Sequence, residues 1–384
     1  MSVRKREWET RKGEAREAWI VDYSVNGSQH IKTFKRKKDA DAYQAQVRVD
    51  ISKGVHTAAS RSATVAQAGM KWLSDAGERL EPATVESYQQ HFNQHILPYL
   101  GHLKLPALTV TIIRNFMDRL RADKRSAAMI KRVVGDLGSI LADAQERGLV
   151  AQNVVRSLSH RKKQRASDRR QKSVLKVGID IPSPQEIRAI VTHLQGRWRP
   201  LLLTAIFTGL RASELRGLQW SDADFKKAEI HVRRRADKFN NTGNPKSATG
   251  QRVVPMPPLL VNTLREWKIR CPQSELGLVF PTGKGGIENH ANIVQRGLAP
   301  AQIAAGVVTK GGKAKYTGLH ALRHFYASWC INRTEDGGLG LPLKVVQHRL
   351  GHSSIQMTSD VYGHLFPSGD DGAELAAAQK ALLG

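Results

Sequence analysis

The chain has 384 residues, which is long enough for two or three domains that each bury a core of their own. Its 60 Lys and Arg residues against 34 Asp and Glu residues give a net charge of +26, which favours a polyanionic partner, most commonly nucleic acid. Hydrophobic residues make up 40% of the chain, which argues against a basic protein without packed cores. The two cysteines, Cys271 and Cys330, lie far apart without metal-ligand spacing and indicate a reducing environment without a disulfide framework.

The N-terminus is charged and lacks the apolar segment of a signal peptide. No stretch of the sequence is long and apolar enough to span a bilayer. These features predict a cytoplasmic protein that has no membrane partner.

Residues 1–57 are predicted to form a small β-rich unit closed by a helix. Large apolar residues alternate along residues 19–25, which predicts a half-buried strand, and Asn26-Gly27 is a strong hairpin signal. The returning strand would be residues 30–34, and residues 38–53 carry apolar side chains four apart, as on one face of a helix. The junction between them is basic and either contacts phosphate or forms a solvated loop. Its candidate residues are Lys35, Arg36 and Lys37.

Residues 60–155 are predicted to form a compact bundle of four helices with short connections. Apolar residues recur at three- and four-residue steps in segments 64–74, 82–96, 108–120 and 126–147. These apolar stripes indicate packed core, so contacts with DNA would come from exposed basic residues. The candidates are Lys124, Arg125 and Lys131.

Residues 156–180 are predicted to be a basic linker with little apolar content. One of its basic clusters contains Arg161, Lys162 and Lys163. The linker either tracks a phosphate backbone or serves as a plain flexible tether.

Residues 181–384 are predicted to form a mostly α-helical domain with a small antiparallel sheet, which makes the whole chain a multi-domain α+β protein. Ser183-Pro184-Gln185-Glu186 has the cap, the proline and the glutamate of a helix start. Strands are expected at 229–233 and 251–254, and the polar loop 240–250 between them contains Lys246. Helices are expected at 200–208, 258–270, near 317, and at 343–350, 354–361 and 371–383.

Three motifs in this last domain form an ordered set. They read Thr-Gly-Leu-Arg-Ala-Ser-Glu-Leu from residue 208, Leu-His-Ala-Leu-Arg-His from residue 319, and Leu-Gly-His-Ser-Ser-Ile-Gln-Met-Thr-Ser-Asp-Val-Tyr from residue 350. Each motif alone is commonplace. Together they supply two arginines, two histidines and a tyrosine, which predicts a site that holds a phosphodiester with cations and attacks it with a phenol.

The chemistry explains this choice of residues. Attack on a phosphodiester builds negative charge on the non-bridging oxygens, and the guanidinium fork of arginine matches a phosphate and keeps its charge. A tyrosine can act as a covalent nucleophile if it gives up its proton as it attacks. The leaving 5′ oxygen needs a proton, for which Lys246 is the natural donor and Lys238 a nearby rival.

The three motifs, within residues 181–366, resemble those of the tyrosine recombinases of the phage integrase family. The resemblance implies that Tyr362 is the nucleophile and that Lys246 protonates the leaving hydroxyl. It implies that the scissile phosphate is bound by Arg211, Arg323 and His352. It further implies that His320 assists proton transfer and that Glu214 and His324 support the site.

The resemblance also extends to the other segments and to the reaction. Residues 1–57 resemble an arm-site-binding domain, and residues 60–155 resemble a core-site-binding domain. The implied enzyme is an integrase of a phage or mobile element that acts at the nucleoid of a bacterial host, through a 3′-phosphotyrosyl intermediate and without cofactor, metal or ATP. Its implied partners are double-stranded attachment sites and three further copies of the chain, in a homotetramer on two duplexes. The need for a host DNA-bending protein or an excisionase stays open.

Two functions of other classes remain as alternatives. A metal-dependent nuclease would need clustered carboxylates or a His/Asp motif, and neither is present in the sequence. A non-catalytic DNA-binding regulator would have lost part of the Arg-His-Arg-His-Tyr set, which is intact here.

Overall fold

The computed structural model describes residues 1–9, 15–25, 28–52, 62–158, 175–245, 247–366 and 371–383. The chain divides into two compact units, Met1–Lys163 and Gln164–Gly384. Both contain helices and a small antiparallel sheet, so the predicted fold class is confirmed. Within the described ranges, no helix has the length and apolar character needed to cross a membrane.

The first unit begins with a three-stranded antiparallel sheet in the order β1-β2-β3, followed by a helix. Its elements are β1 Ser2–Glu9, β2 Ala15–Val25, β3 Ser28–Phe34 and α1 Lys37–Ser52. Val21 and Tyr23 of β2 pack with Val47 of α1 in a small core. The sequence did not predict β1, because its residues are mostly charged and exposed and show no apolar alternation. The Asn26-Gly27 turn lies outside the described residues.

The rest of the first unit is a helical bundle around one core. Its helices are α2 Val65–Arg79, α3 Pro82–His91, α4 Leu97–Leu100, α5 Val110–Ala122 and α6 Ala127–Glu146. A π-helical turn, Phe92–Ile96, joins α3 to α4, so these two continue one path. Thr64, Thr109 and Ser126 cap three of the helices by accepting a hydrogen bond from a backbone N–H of the first turn. The four predicted helical segments are therefore present.

The second unit contains the larger core. Its helices are α7 Pro184–Thr192, α8 Trp198–Thr208, α9 Ala212–Arg216, α10 Pro258–Arg270, α11 His290–Asn292, α12 Ala299–Ala304, α13 His320–Ile331, α14 Leu343–Leu350, α15 Ile355–Tyr362 and α16 Asp371–Leu383. A π-helical turn, Ile293–Leu298, lies between α11 and α12. The predicted capping box is present, with the Ser183 hydroxyl accepting from the Glu186 N–H and the Glu186 carboxylate accepting from the Ser183 N–H.

Two small sheets lie in the second unit. Strands β4 Ala223–Asp224, β5 Glu229–Val232 and β8 Arg252–Pro255 form an antiparallel sheet in the order β4-β5-β8. Between β5 and β8 the chain forms a two-stranded hairpin, β6 Arg235–Ala236 with β7 Thr242–Gly243. The sequence predicted β5 and β8 but not this hairpin, because its paired residues are too few to show a period.

Candidate active site

A glycine turn brings the first motif against the second. Helix α8 ends at Gly209, whose φ of 60° is left-handed and favours glycine. A Cβ atom at this position would lie 2.4 Å from Cδ1 of Tyr326 on α13, so a larger residue does not fit. The turn therefore delivers Arg211, at the start of α9, next to the helix that carries Arg323.

The two motif arginines converge on the turn that follows α14. Arg323 is 2% exposed, and it donates from Nη1 to the Gly209 carbonyl (2.7 Å) and from Nη2 to the Leu350 carbonyl (2.5 Å). Arg211 donates from Nη2 to the next carbonyl, that of Gly351 (3.1 Å), and its side chain is 38% exposed. Burial, with a smaller contribution from the Arg211 charge, lowers the pKa of Arg323 to about 9, so it remains cationic at neutral pH.

The buried carboxylate of Glu214 positions the side chain of Arg211. Glu214 accepts from Arg211 Nη1 (2.8 Å) and from both terminal nitrogens of Arg252, at 3.1 and 2.8 Å. Burial alone would raise the pKa of Glu214, but the hydrogen bonds and charge of Arg252, with the charge of Arg211, lower it to about 2. Glu214 therefore stays ionised and fixes the direction of the Arg211 side chain.

Arg252 lies outside the three sequence motifs. Its guanidinium is fully buried, and its Nε donates to the Arg349 carbonyl (2.7 Å). Gly351 ends α14 with a left-handed φ of 64°, and a Cβ there would lie 2.9 Å from Arg252 Nη1. The Leu-Gly-His turn thus needs its glycine both for the backbone conformation and for the approach of Arg252.

His352 and Tyr362 face each other across the site. Their ring planes are 4° apart and their centroids are 6.3 Å apart. Nδ1 of His352 lies 2.9 Å from the Thr358 hydroxyl, and burial, followed by the charges of Arg323 and Arg211, lowers the pKa of His352 to about 4. Thr358 is part of the third sequence motif, where it was given no role, and its position four residues before Tyr362 places it on the same helix face.

The phenol of Tyr362 is buried and hydrogen-bonded. The side chain is 1% exposed, and its hydroxyl lies 2.8 Å from Nδ1 of His324. Burial raises the pKa of Tyr362 to about 12, an effect that Arg323 and Arg211 oppose. Burial, followed by the charges of His320 and Arg323, lowers the pKa of His324 to about 4, so both partners are neutral at pH 7.

His320 lies at the outer edge of the same group. It is exposed, and its ring centroid is 4.4 Å from that of His324 in an edge-to-face arrangement. Desolvation by the surrounding residues, then the charges of Arg323 and Arg211, lowers its pKa. The predicted set Arg211, His320, Arg323, His352 and Tyr362 is therefore gathered in one place, together with Glu214 and His324.

A cavity of about 390 Å³ opens beside Arg211. It is lined by Arg211, Ser213, Glu214, Arg235, Pro245, Ser247 and Gly250. Lys246 lies outside the described residues, but its chain neighbours on both sides line this cavity. The rival Lys238 is exposed in the hairpin turn, with Nζ 5.1 Å from the centroid of the Phe239 ring.

The predicted DNA-contact residues of the first unit are at its surface. Lys35, Arg36, Lys37, Lys124, Arg125 and Lys131 are all exposed. Arg161, Lys162 and Lys163 lie outside the described residues. In the part of the chain that the structure describes, no three His, Cys, Asp or Glu residues are grouped as metal ligands would be.

Comparisons with known proteins agree with this site. Residues 182–368 match the phage integrase family, and residues 64–121 match the phage integrase N-terminal SAM-like domain. The tyrosine recombinase XerC-like protein of Caldanaerobacter subterraneus subsp. tengcongensis is 28% identical over 371 residues, which cover 89% of this chain and 90% of that protein.

Two solved structures share the fold. The Tn1549 transposon integrase in complex with a circular intermediate DNA is 18% identical, with a TM-score of 0.64 over 83% of this chain and 100% of that one. The lambda integrase tetramer bound to a Holliday junction is 16% identical, with a TM-score of 0.57 over 95% of this chain and 96% of that one. With both family models matched and a relative similar over nearly its whole length, the chain belongs to the phage integrase family of tyrosine recombinases.

Proposed function

We propose that this site-specific recombinase cuts and rejoins DNA through a 3′-phosphotyrosyl bond on Tyr362, and that it integrates and excises a phage or another mobile element. The observation that carries the proposal is the convergence of Arg211 and Arg323 on the carbonyls just before His352, whose ring faces Tyr362. Arginines and a histidine that only bound DNA would not need a buried tyrosine among them.

The arginines and His352 would hold the scissile phosphate. Arg211 is the more accessible of the two and would make the first contact, while Arg323 is held rigidly by two carbonyls and still has further N–H donors. Preorganised donors of this kind stabilise the charge that develops on the non-bridging oxygens. Glu214 and Arg252 would act by fixing the direction of Arg211.

The covalent step exchanges one phosphate ester for another. The oxygen of Tyr362 bonds to phosphorus as the bond to the 5′ oxygen breaks, and the phenolic proton leaves as the attack proceeds. His324 orients the phenol, and exposed His320 is placed to assist the proton transfer and to position the phosphate. A lysine of the 235–247 region would protonate the departing 5′ oxygen. A 5′ hydroxyl of a second duplex then reverses the reaction, so the ester bond energy is kept and ATP is not needed.

Two such exchanges would require four protomers on two duplexes. The likeness in fold to the lambda integrase tetramer on a Holliday junction supports this assembly. The likeness to the integrase of the Tn1549 transposon supports a mobile element as the source of the DNA.

The test is covalent trapping in the absence of metal and ATP. A duplex nicked close to the cleavage point loses a short fragment after attack, so the phosphotyrosyl bond cannot be reversed and the protein stays attached to DNA. We expect the full chain to form this adduct at the same rate with EDTA as with Mg²⁺, because arginines supply the charge stabilisation. Cleavage of the DNA without an adduct, abolished by EDTA and restored by Mg²⁺, would instead favour the metal nuclease.

A second experiment tests the proposed role of residues 1–57 as an arm-site-binding domain. Their sheet and helix have a small core that includes Val21 and Val47, and the candidate chemistry lies in the second unit. Deleting residues 1–57 should leave cleavage of an isolated core site intact while it reduces integrative recombination between full attachment sites. Integration by the truncated protein at the full-length rate would contradict the arm-site assignment.

A further inference from the structure

Arg216 is a buried arginine at the end of α9. It is not one of the residues proposed to bind the scissile phosphate. It is 6% exposed, and Nε donates to the Glu288 carbonyl at 2.5 Å. Nη1 donates to the carbonyls of Asp237 (2.8 Å) and Ala236 (3.5 Å), and Nη2 donates to the side-chain oxygen of Asn240. One guanidinium therefore holds three positions of the β6–β7 hairpin.

The hairpin is too short to be stable alone. Its two strands pair only two residues each, and a two-stranded ribbon is marginal even when it is longer. The turn between them is ordered by Asp237, whose carboxylate accepts from the N–H groups of Phe239 (2.8 Å) and Asn241 (2.9 Å). The shape of the turn is thus set locally, but its place in the unit depends on contacts from outside the hairpin.

Gly217 provides a second, independent contact to the hairpin. A Cβ at this position would lie 2.8 Å from the Ala236 nitrogen and 2.8 Å from the Arg235 carbonyl carbon. The end of α9 therefore lies directly against the backbone of β6. Arg211 directly precedes the same five-residue helix and Glu214 lies in its middle, so α9 links the proposed phosphate site to the hairpin.

The other end of the Arg216 network is fixed to the body of the unit. The buried carboxylate of Glu288 accepts from Arg197, from its neighbour's N–H (Asn289, 3.0 Å) and from the Asn292 amide (3.1 Å). Its carbonyl is consequently a rigid acceptor for Arg216. Arg216 therefore connects the hairpin to a fixed point of the second unit.

Burial of a guanidinium is costly unless it is fully hydrogen-bonded, and an apolar side chain would fill the same space at lower cost. An arginine at this position is explained if the position of the hairpin matters for function. The hairpin carries Lys238 in its turn, and Lys246 follows three residues after β7.

We propose that Arg216 is a positioning residue. It holds the hairpin so that a lysine of the 235–247 region reaches the leaving 5′ oxygen. This proposal rests on the proposed recombinase reaction. Arg216 does not touch the DNA phosphate in this scheme. It acts through the hairpin lysine, whose proton passes to the 5′ oxygen as the phosphorus–oxygen bond breaks.

The test compares two DNA substrates with the variant Arg216→Met, which keeps an unbranched side chain and removes the donors. On an ordinary nicked substrate, adduct formation should be about 100-fold slower, a loss that misplacing a reacting group by about 1 Å can cause. On a substrate with a bridging 5′-phosphorothiolate, the leaving thiolate needs no proton, so the variant should approach the wild-type rate. DNA affinity should be unchanged, because Arg216 is buried in the second unit.

Arg265→Met controls for the substitution itself, since Arg265 is an exposed arginine of α10 that donates to the Phe225 carbonyl and makes no hydrogen bond to the hairpin in the described part of the chain. It should show no difference from wild type on either substrate. Equal slowing of Arg216→Met on both substrates would overturn the proposal, because a general loss of structure does not depend on the leaving group. A wild-type rate on the ordinary substrate would overturn it as well.

A milder variant decides the matter if Arg216→Met does not fold. Asn240 has a left-handed φ of 66°, so Asn240→Gly keeps the backbone conformation and removes one acceptor of Arg216. It should slow the ordinary substrate by about 3- to 10-fold, as expected for loss of about 1 kcal/mol of positioning, and be rescued by the phosphorothiolate. A wild-type rate, or slowing without rescue, would overturn the proposal. A wild-type chain that forms no adduct on either substrate would instead contradict the recombinase reaction itself.

Discussion

Tyr362→Phe is expected to bind attachment-site DNA like the wild type and to form no covalent adduct with a nicked substrate. The substitution removes only the phenolic oxygen, and the phenyl ring keeps its place opposite His352. The lost hydrogen bond to His324 leaves a half-buried imidazole nitrogen unpaired, which should cost about 1–3 kcal/mol of stability. Denaturing gels measure adduct formation, and mobility shifts measure DNA affinity. Together they distinguish the loss of the nucleophile from a loss of DNA binding.

Tyr316→Phe is a matched control for this experiment. Tyr316 is also a buried tyrosine of the second unit, and its hydroxyl donates to the Glu186 carboxylate at 2.7 Å, so the variant loses a comparable hydrogen bond. It should form the adduct normally. Peptide mapping of the wild-type adduct should place the DNA on residue 362, and adduct formation by Tyr362→Phe would move the nucleophile to another residue.

The protonation states of the site argue against a preformed phenolate on Tyr362 in the free protein. With a pKa of about 12 for Tyr362 and about 4 for His324, a full transfer of the proton to the imidazole is unfavourable in the free protein. Arg323 and Arg211 lower the pKa of the phenol but do not outweigh its burial. The proton would therefore leave only as the bond to phosphorus forms, when the phenolic oxygen gives up its negative charge.

Local sequence signals predicted most helices of this protein to within a few residues. The capping box at Ser183 and the proline at the start of α3 mark helix starts that the structure confirms. Helix α10 covers the predicted residues 258–270 without a shift. Helix α13 begins at His320, about one turn after the expected position near residue 317. Such signals work because caps and apolar periods are properties of neighbouring residues.

Contacts between distant segments could not be predicted in this way. Arg252 and Glu214 are 38 residues apart, and nothing in the spacing indicates that a single carboxylate bridges Arg252 and Arg211. The hydrogen bond between His324 and Tyr362 spans 38 residues as well. The motifs predicted which residues would meet, whereas the pairing among them depends on how α9, α13 and α15 pack.

A large decrease in the rate of adduct formation is also expected for Lys246→Ala. The leaving 5′ alkoxide is strongly basic, and Arg211, Arg323 and His352 are already assigned to the phosphate. Loss of a positioned general acid slows a reaction by about 10²–10⁴-fold, and we expect adduct formation on an ordinary nicked substrate to slow by this amount. DNA affinity should fall much less, because one lost phosphate contact lowers the salt slope by about one.

The bridging 5′-phosphorothiolate distinguishes a proton donor from a phosphate-binding group. If Lys246 is the acid, this substrate should largely restore adduct formation by Lys246→Ala. Arg211→Ala is the contrasting variant, because Arg211 lines the same cavity as the neighbours of Lys246 but supplies charge, which a better leaving group does not replace. Equal rescue of both variants, or no rescue of Lys246→Ala, would show that Lys246 is not the proton donor. The same comparison with Lys238→Ala would then show whether the lysine of the hairpin turn donates the proton.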